Sequence, residues 1–249
     1  MNHQQLVDEL AALVAVEHAL VVDNLQISYA LGTDRDDVET PMGPASPQGR
    51  EAAGVAQSSA INDMRHLKSL YRLLGTVGGR AGLGRATEVQ PASSWAVPLG
   101  SVTAATFTAF EARQRAIAEA VDRRLLALVA ALPAVDPPLP ADVRDRLEAD
   151  LTFVADHAGT VEALVSPIRQ PSPQSHVRAT RAEPATDAER SLVAVSDRTY
   201  RALVAMVEGW LSHDELLFDL SGRAQSAMNE LDDLNALLVG RGLVPPLRP

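Results

Sequence analysis

Apolar residues along this chain recur at three- and four-residue spacings over long stretches, and nowhere alternate with polar residues over any length. That period is helical. A first helix is predicted over 4–31, with Leu6, Leu10, Leu13, Leu20, Ile27 and Leu31 on one seam and Gly32 as its stop. The second, over 50–77, carries Ala56, Ser59, Leu70, Leu73 and Val77 inward and ends at Gly78-Gly79. The third covers 102–132 through Phe107, Phe110, Gln114, Ile117, Val121, Leu125 and Leu128. A fourth covers 141–166 through Leu147, Val154, Val161 and Leu164, and a last stretch, 187–239, is so long that a kink is expected near Gly222.

The connectors complete the picture. Residues 32–49 are polar, and 133–140 are rich in proline. The 78–100 segment, with Pro91, Trp95 and Pro98, is too long for a tight turn and suits a crossover along a bundle. The 167–186 segment is rich in Pro, Ser and Arg and is expected to be an exposed or disordered loop. The expectation is one all-α domain over 1–249, with a bundle over 4–166, the 167–186 loop, and a C-terminal helix over 187–239.

Composition narrows the chemistry. Hydrophobic residues make up 46% and aromatics only 4%, so the apolar content is mostly Ala, Leu and Val, which favours helices. The absence of cysteine excludes disulfides, thiolate metal sites and cysteine nucleophiles, leaving oxygen and nitrogen as ligands. A net charge of −10 argues against a nucleic-acid partner, because such partners are met by a basic surface. No basic leader precedes an apolar core, and no uninterrupted apolar run is long enough to span a bilayer. A soluble cytoplasmic protein without a membrane partner is expected.

Polar groups interrupt two of the seams. Glu17 and Asn24 fall on the first, and Asp63 and His66 on the second, three residues apart and therefore on one helix face. Glu17 lies about fourteen residues before the end of its helix and His66 about sixteen after the start of the next, so an antiparallel pair brings them level. The same count on the third and fourth helices sets His157 near Gln114, with Glu111 about a turn away. Carboxylates and imidazoles converging inside a bundle form a set for a transition metal, here Glu17, Asp63, His66, Glu111 and His157. The plainer reading is a buried ion pair for Asp63 and His66, and a solvated face for Glu111. Glu208, His213 and Asp214 form a rival set, His18 and His176 read as surface residues, and Trp95 and Trp210 read as packing anchors.

The stretches Ala15-Val16-Glu17-His18-Ala19-Leu20, Asn62-Asp63-Met64-Arg65-His66-Leu67 and Leu73-Leu74-Gly75-Thr76-Val77-Gly78-Gly79 resemble the first two helices of ferritin-like domain proteins. Such bundles carry a Glu on helix one and Glu-x-x-His on helix two, mirrored on helices three and four. The resemblance implies an antiparallel four-helix bundle with a long crossover. It makes Glu17 the first carboxylate, puts Asp63 in the Glu position and makes His66 the imidazole ligand. The second half of the chain has no Asp/Glu-x-x-His, so Glu111 and His157 are assigned by height alone. Two ions, one ion and no ion all remain open.

With metal, the resemblance implies iron, as a pair or a single ion, or manganese, and oxidative chemistry on a small organic substrate of the kind found in bacterial secondary-metabolite pathways. A metal-free bundle acting as a ligand-binding or protein-interaction module is the alternative. The long last helix could pair with a second copy in a homodimer. No nucleophile elbow, phosphate loop or dinucleotide fingerprint supports a hydrolase or transferase.

Overall fold

The computed structural model describes residues 1–32, 45–83, 86–92, 95–99, 102–104, 106–107, 110–170, 172–212 and 217–247, with backbone alone at 212 and 217–221. Helix α1 (His3–Leu31) opens on a capping box. The Asn2 side chain accepts the Gln5 amide at 2.8 Å while the Gln5 side chain accepts the Asn2 amide at 2.8 Å. It ends at Gly32, whose φ of 108° only glycine adopts without strain. Helix α2 (Pro47–Thr76) starts under the Ser46 cap with Pro47 in its first turn. The connector 33–44 between them lies outside the described residues.

The directions of the helices follow from what meets at each end. His3 at the start of α1 bonds the Val77 carbonyl just past the end of α2, so the two run antiparallel. Helix α3 (Phe110–Ala131) ends beside the same terminus, where the Asp136 amide donates to the Met1 carbonyl. Helices α4 (Ala141–Val154) and α5 (Ala158–Val165) then return to the far end, where Val161, Leu164 and Ile168 pack with Ile27, Leu31 and Ala52. The order is up, down, down, up, and 78–109 crosses the length of the bundle.

That crossing is not plain coil. It contains a two-stranded antiparallel hairpin, β1 (Glu88–Ala92) and β2 (Trp95–Pro98), which was not legible as alternation because each strand is so short. Val89 on β1 is fully buried against α1 and α3, and Arg124 of α3 donates to the Gln90 carbonyl. Trp95, expected as a packing anchor, is exposed on β2.

Three further expectations need correction. Helix α3 begins at Phe110 rather than 102, since Thr103 and Thr106 trade side-chain and backbone hydrogen bonds in a turn that competes with helix. The 167–186 segment is tied down: the Arg178 amide donates to the Ala30 carbonyl at 2.7 Å, Thr180 and Arg181 donate to Gly242, and Ile168 and Ala179 are fully buried. The long last helix is two helices, α6 (Asp187–Ser212) and α7 (Leu217–Gly240), packed side by side with Gly222 inside the second. Ser196 of α6 bonds Asn235 of α7 in their buried seam.

The predicted fourth helix is also broken, at Ala155–His157. Asp122 of α3 accounts for the break. Its carboxylate accepts the backbone amides of His157 at 3.0 Å and Ala158 at 2.9 Å, satisfying the first donors of α5 from a neighbouring helix.

Helix α1 is the centre of the molecule, packed by α2, the hairpin and α7, and therefore apolar nearly all round. By length and composition it could cross a membrane, which a search for uninterrupted apolar runs passes over. Yet 72% of its most apolar window is buried inside the protein, as befits a core helix.

Two apolar clusters fill the bundle. One holds Leu6, Leu13, Leu70, Leu125 and Leu147, and the other Ile27, Ala56, Phe107 and Val161. Between them lies a polar layer.

Replacing Asp122 by Ala removes the acceptor for the two amides that open α5, together with the partner of His157 Nδ1. A loss of about 2–3 kcal/mol is expected, read as a lower urea midpoint at unchanged slope, with Asp122→Asn costing less.

Candidate metal centre

Four side chains converge in the polar layer. Glu17 comes from α1, Asp63 and His66 from one face of α2, and His157 from the break between α4 and α5. All are buried, and one ligand atom of each lies within 4.8 Å of the others. His157 Nε2 stands 3.1 Å from Glu17 Oε1 and 3.3 Å from Oε2, with hydrogen-bond geometry to Oε2, and 4.0 Å from Asp63 Oδ1. His66 Nδ1 is 3.7 Å from Glu17 Oε2. Glu17 Oε1 and His66 Nδ1 are sealed from solvent and, for all their closeness to neighbouring groups, have no well-aligned hydrogen-bond partner among the described residues. Such atoms are costly unless something else satisfies them, and both are good ligands for a cation.

Each ligand is aimed by a second group. His157 Nδ1 lies 2.7 Å from Asp122 Oδ1, so the proton between them leaves Nε2 turned to Glu17, the arrangement of a carboxylate–imidazole–metal triad. Asn24 donates to Asp63 Oδ2 at 2.8 Å and leaves Oδ1 facing the cluster. Asn62 lies 3.1 Å from His66 Nε2. For Nδ1 to offer a lone pair, Nε2 must carry the proton and Asn62 must present its amide oxygen, a half-turn that changes no shape. Phe153 and His157 meet the His66 ring edge-on at 5.5 and 5.2 Å.

Electrostatics follows from burial and proximity. Burial works against the Glu17 carboxylate, but the charge and hydrogen bond of His157, with help from His66, hold its pKa below the usual value. Burial and then the neighbouring Glu17 charge push Asp63 up to about 7. Burial disfavours charge on His157, yet Glu17 and Asp122 overcome it and raise its pKa well above 6.5. Without a cation the cluster thus holds itself together as a Glu17–His157 ion pair. A metal must displace that proton.

Of the five residues picked from the sequence, the structure brings together Glu17, Asp63, His66 and His157. Glu111 lies apart. Because α3 starts at Phe110, Glu111 falls in its first turn, on the surface, paired with Arg169 at 2.9 Å and Arg115 at 3.4 Å. Gln114 is buried but donates to Asp23, which Arg113 also neutralises at 3.0 Å, so Asp23 is not free to join the set. Asp122 was missed. His157 stands level with Asp122, about two turns along α3 from Gln114, where the height count sets it. Among the rival residues, Glu208 lies near Gly82 on α6, while His213 and Asp214 fall outside the described residues.

Both histidines expected at the surface are buried. His176 bonds Ser46 Oγ at 2.8 Å and the Gln170 carbonyl at 2.9 Å. His18, on the side of α1 away from the cluster, has its pKa lowered to about 4 by burial.

The raised Asp63 gives a pH signature for the metal-free chain. Folded Asp63 keeps its proton up to about 7 while the unfolded residue loses it near the ordinary 3.8, so its contribution falls as pH rises through that window. His157, also raised, contributes stability that is present below 6.5 and lost as pH rises through its folded pKa. His18 runs the other way, losing stability as pH falls from 6.5 toward 4. Comparison with Asp63→Asn removes the Asp63 proton, along with the smaller pull of Asp63 on His157. Between pH 5.5 and 8, urea unfolding should show the wild-type chain losing about 1–2 kcal/mol relative to that variant.

Comparison with family models, curated proteins and solved structures finds no match to this chain, so its own residues carry the functional assignment.

Proposed function

We propose that this chain is a metal-dependent oxidase or oxygenase, built on a ferritin-like plan, that holds one iron or manganese ion on Glu17, Asp63, His66 and His157 and acts on a small organic substrate. The observation that carries the reading is the convergence of two buried carboxylates and two buried imidazoles, with Glu17 Oε1 and His66 Nδ1 lacking a well-aligned hydrogen-bond partner among the described residues. Oxygen and nitrogen donors without sulfur suit iron and manganese. When bound, such an ion supplies one-electron chemistry with dioxygen at whatever coordination positions the protein leaves open.

The surrounding residues have separate tasks. Asp122 fixes the His157 tautomer, Asn24 and Asn62 orient Asp63 and His66, and Phe153 shields the outer edge of His66 from water. Asp63, poised near neutrality, can hold or release a proton beside the site. The up-down-down-up order and the long crossover agree with a ferritin-like plan. The departure is in the second half, where one histidine at a helix break replaces a carboxylate-x-x-His pair, and Asp23 is engaged elsewhere. That leaves donors for one ion rather than two.

Elemental analysis of protein grown with iron and manganese tests this directly. About one ion per chain is expected, bound more weakly as pH falls because His157 and Asp63 take up protons, and lost in His157→Gln and Glu17→Gln. An anomalous difference map should show a single peak among the four side chains, and the loaded protein should consume dioxygen with its substrate. The Glu17–His157 ion pair favours a second reading, a metal-free binding module that is already neutral inside. An empty site in protein grown with both metals would decide for it.

A further inference from the structure

On another face of α1 and α2 from the metal cluster lies a cavity of about 320 Å³, roofed by α6 and α7. The two sites share helices but not faces. Glu17 and Asp63 point into the bundle, while their neighbours His18 and Met64 line the cavity, as residues adjacent along a helix point about 100° apart. The walls are mostly aliphatic, with Val22, Ile61, Met64, Val204 and Met228 among them, and Ile61 is 44% exposed where the cavity reaches the surface. The size is at the lower end for small-molecule sites.

Two features say what would fit. Among the described lining residues there is no lysine or arginine, and Asp232 is the one carboxylate, so an anion such as a fatty acid finds no counter-charge. His18 is only 9% exposed, and it has no hydrogen-bond partner among the described residues. At pH 8 its neutral ring offers one donor and one acceptor, and no hydrogen bond to the described residues uses either. A ligand carrying one hydrogen-bonding group would satisfy it.

We infer that the space between the α1–α2 pair and the α6–α7 hairpin is a binding site for an uncharged, mainly apolar small molecule with a single hydrogen-bonding group that pairs with His18. The inference stands on this cavity alone and does not require the metal assignment.

The test uses the full chain at pH 8 and N-phenyl-1-naphthylamine, a neutral apolar fluorophore with one N–H donor. Its emission should rise and saturate at one probe per chain. Val204→Trp and Met228→Trp, which fill the cavity from the hairpin side, should each weaken binding at least tenfold. His18→Phe, which keeps the shape and removes the polar group, should weaken it about fivefold, the worth of one neutral hydrogen bond. Methyl NMR of the wild-type chain gives a reading independent of any variant: Ile61 and Met228 signals should shift with probe while that of Ile117, in the bundle core, stays put. Absence of saturation, wild-type affinity in both tryptophan variants, or unmoved Ile61 and Met228 signals would each overturn the proposal. Metal content measured on Val204→Trp should equal that of the wild type, which keeps failure here separate from failure of the metal site.

Discussion

Two carboxylates buried within reach of each other, Glu17 and Asp63, set the terms for the rest of this molecule. Neither can be charged in an apolar interior without a partner, and both at once demand positive charge close by. The fold brings one imidazole from the same helix as Asp63 and a second from across the bundle. His157 reaches Glu17 because the chain leaves helical geometry between α4 and α5, and that departure is tolerated because Asp122 receives the amides it exposes. A surface-side carboxylate on α3 is therefore tied to a carboxylate on α1 through one ring.

The polar layer also divides the interior. Leucine-rich packing fills the end that holds both the chain start and the α3–α4 connection, and smaller residues with the Phe107–Phe110 stack fill the other. Helices sliding past each other by one turn would pull Glu17 away from His66 and set charge against leucine. We read the layer as a register lock as well as a site, a role buried polar groups are known to play.

Much of this was legible from periodicity. The α1 and α2 seams, their stops at Gly32 and Gly78, and the inward direction of Glu17, Asn24, Asp63 and His66 follow from a 3.6-residue repeat, because burial of a helix face is a local property of sequence. Level counting worked for α1 and α2, where Glu17 and His66 do meet. It failed on α3, where His157 meets Asp122, about three turns along the helix from Glu111, because the level at which α4 and α5 pack on α3 is set by contacts remote in sequence. The break at His157 was hidden for a related reason: its cause is on another helix, and nothing within 155–158 announces it. Order in 167–186 was likewise invisible, since its anchors are carbonyls of Ala30 and Gly242, remote in sequence.

The pinning of 178–181 to Ala30 and to 242–244 has a mechanical side. The leg entering α6 and the leg leaving α7 are clamped at one end of the bundle, so the pair behaves as a cantilever with a fixed root. A second restraint lies farther along the pair at Trp210, which Lys68 holds from below. Anything occupying the gap under that beam meets a wall held at its root by 178–181 and farther out by Lys68.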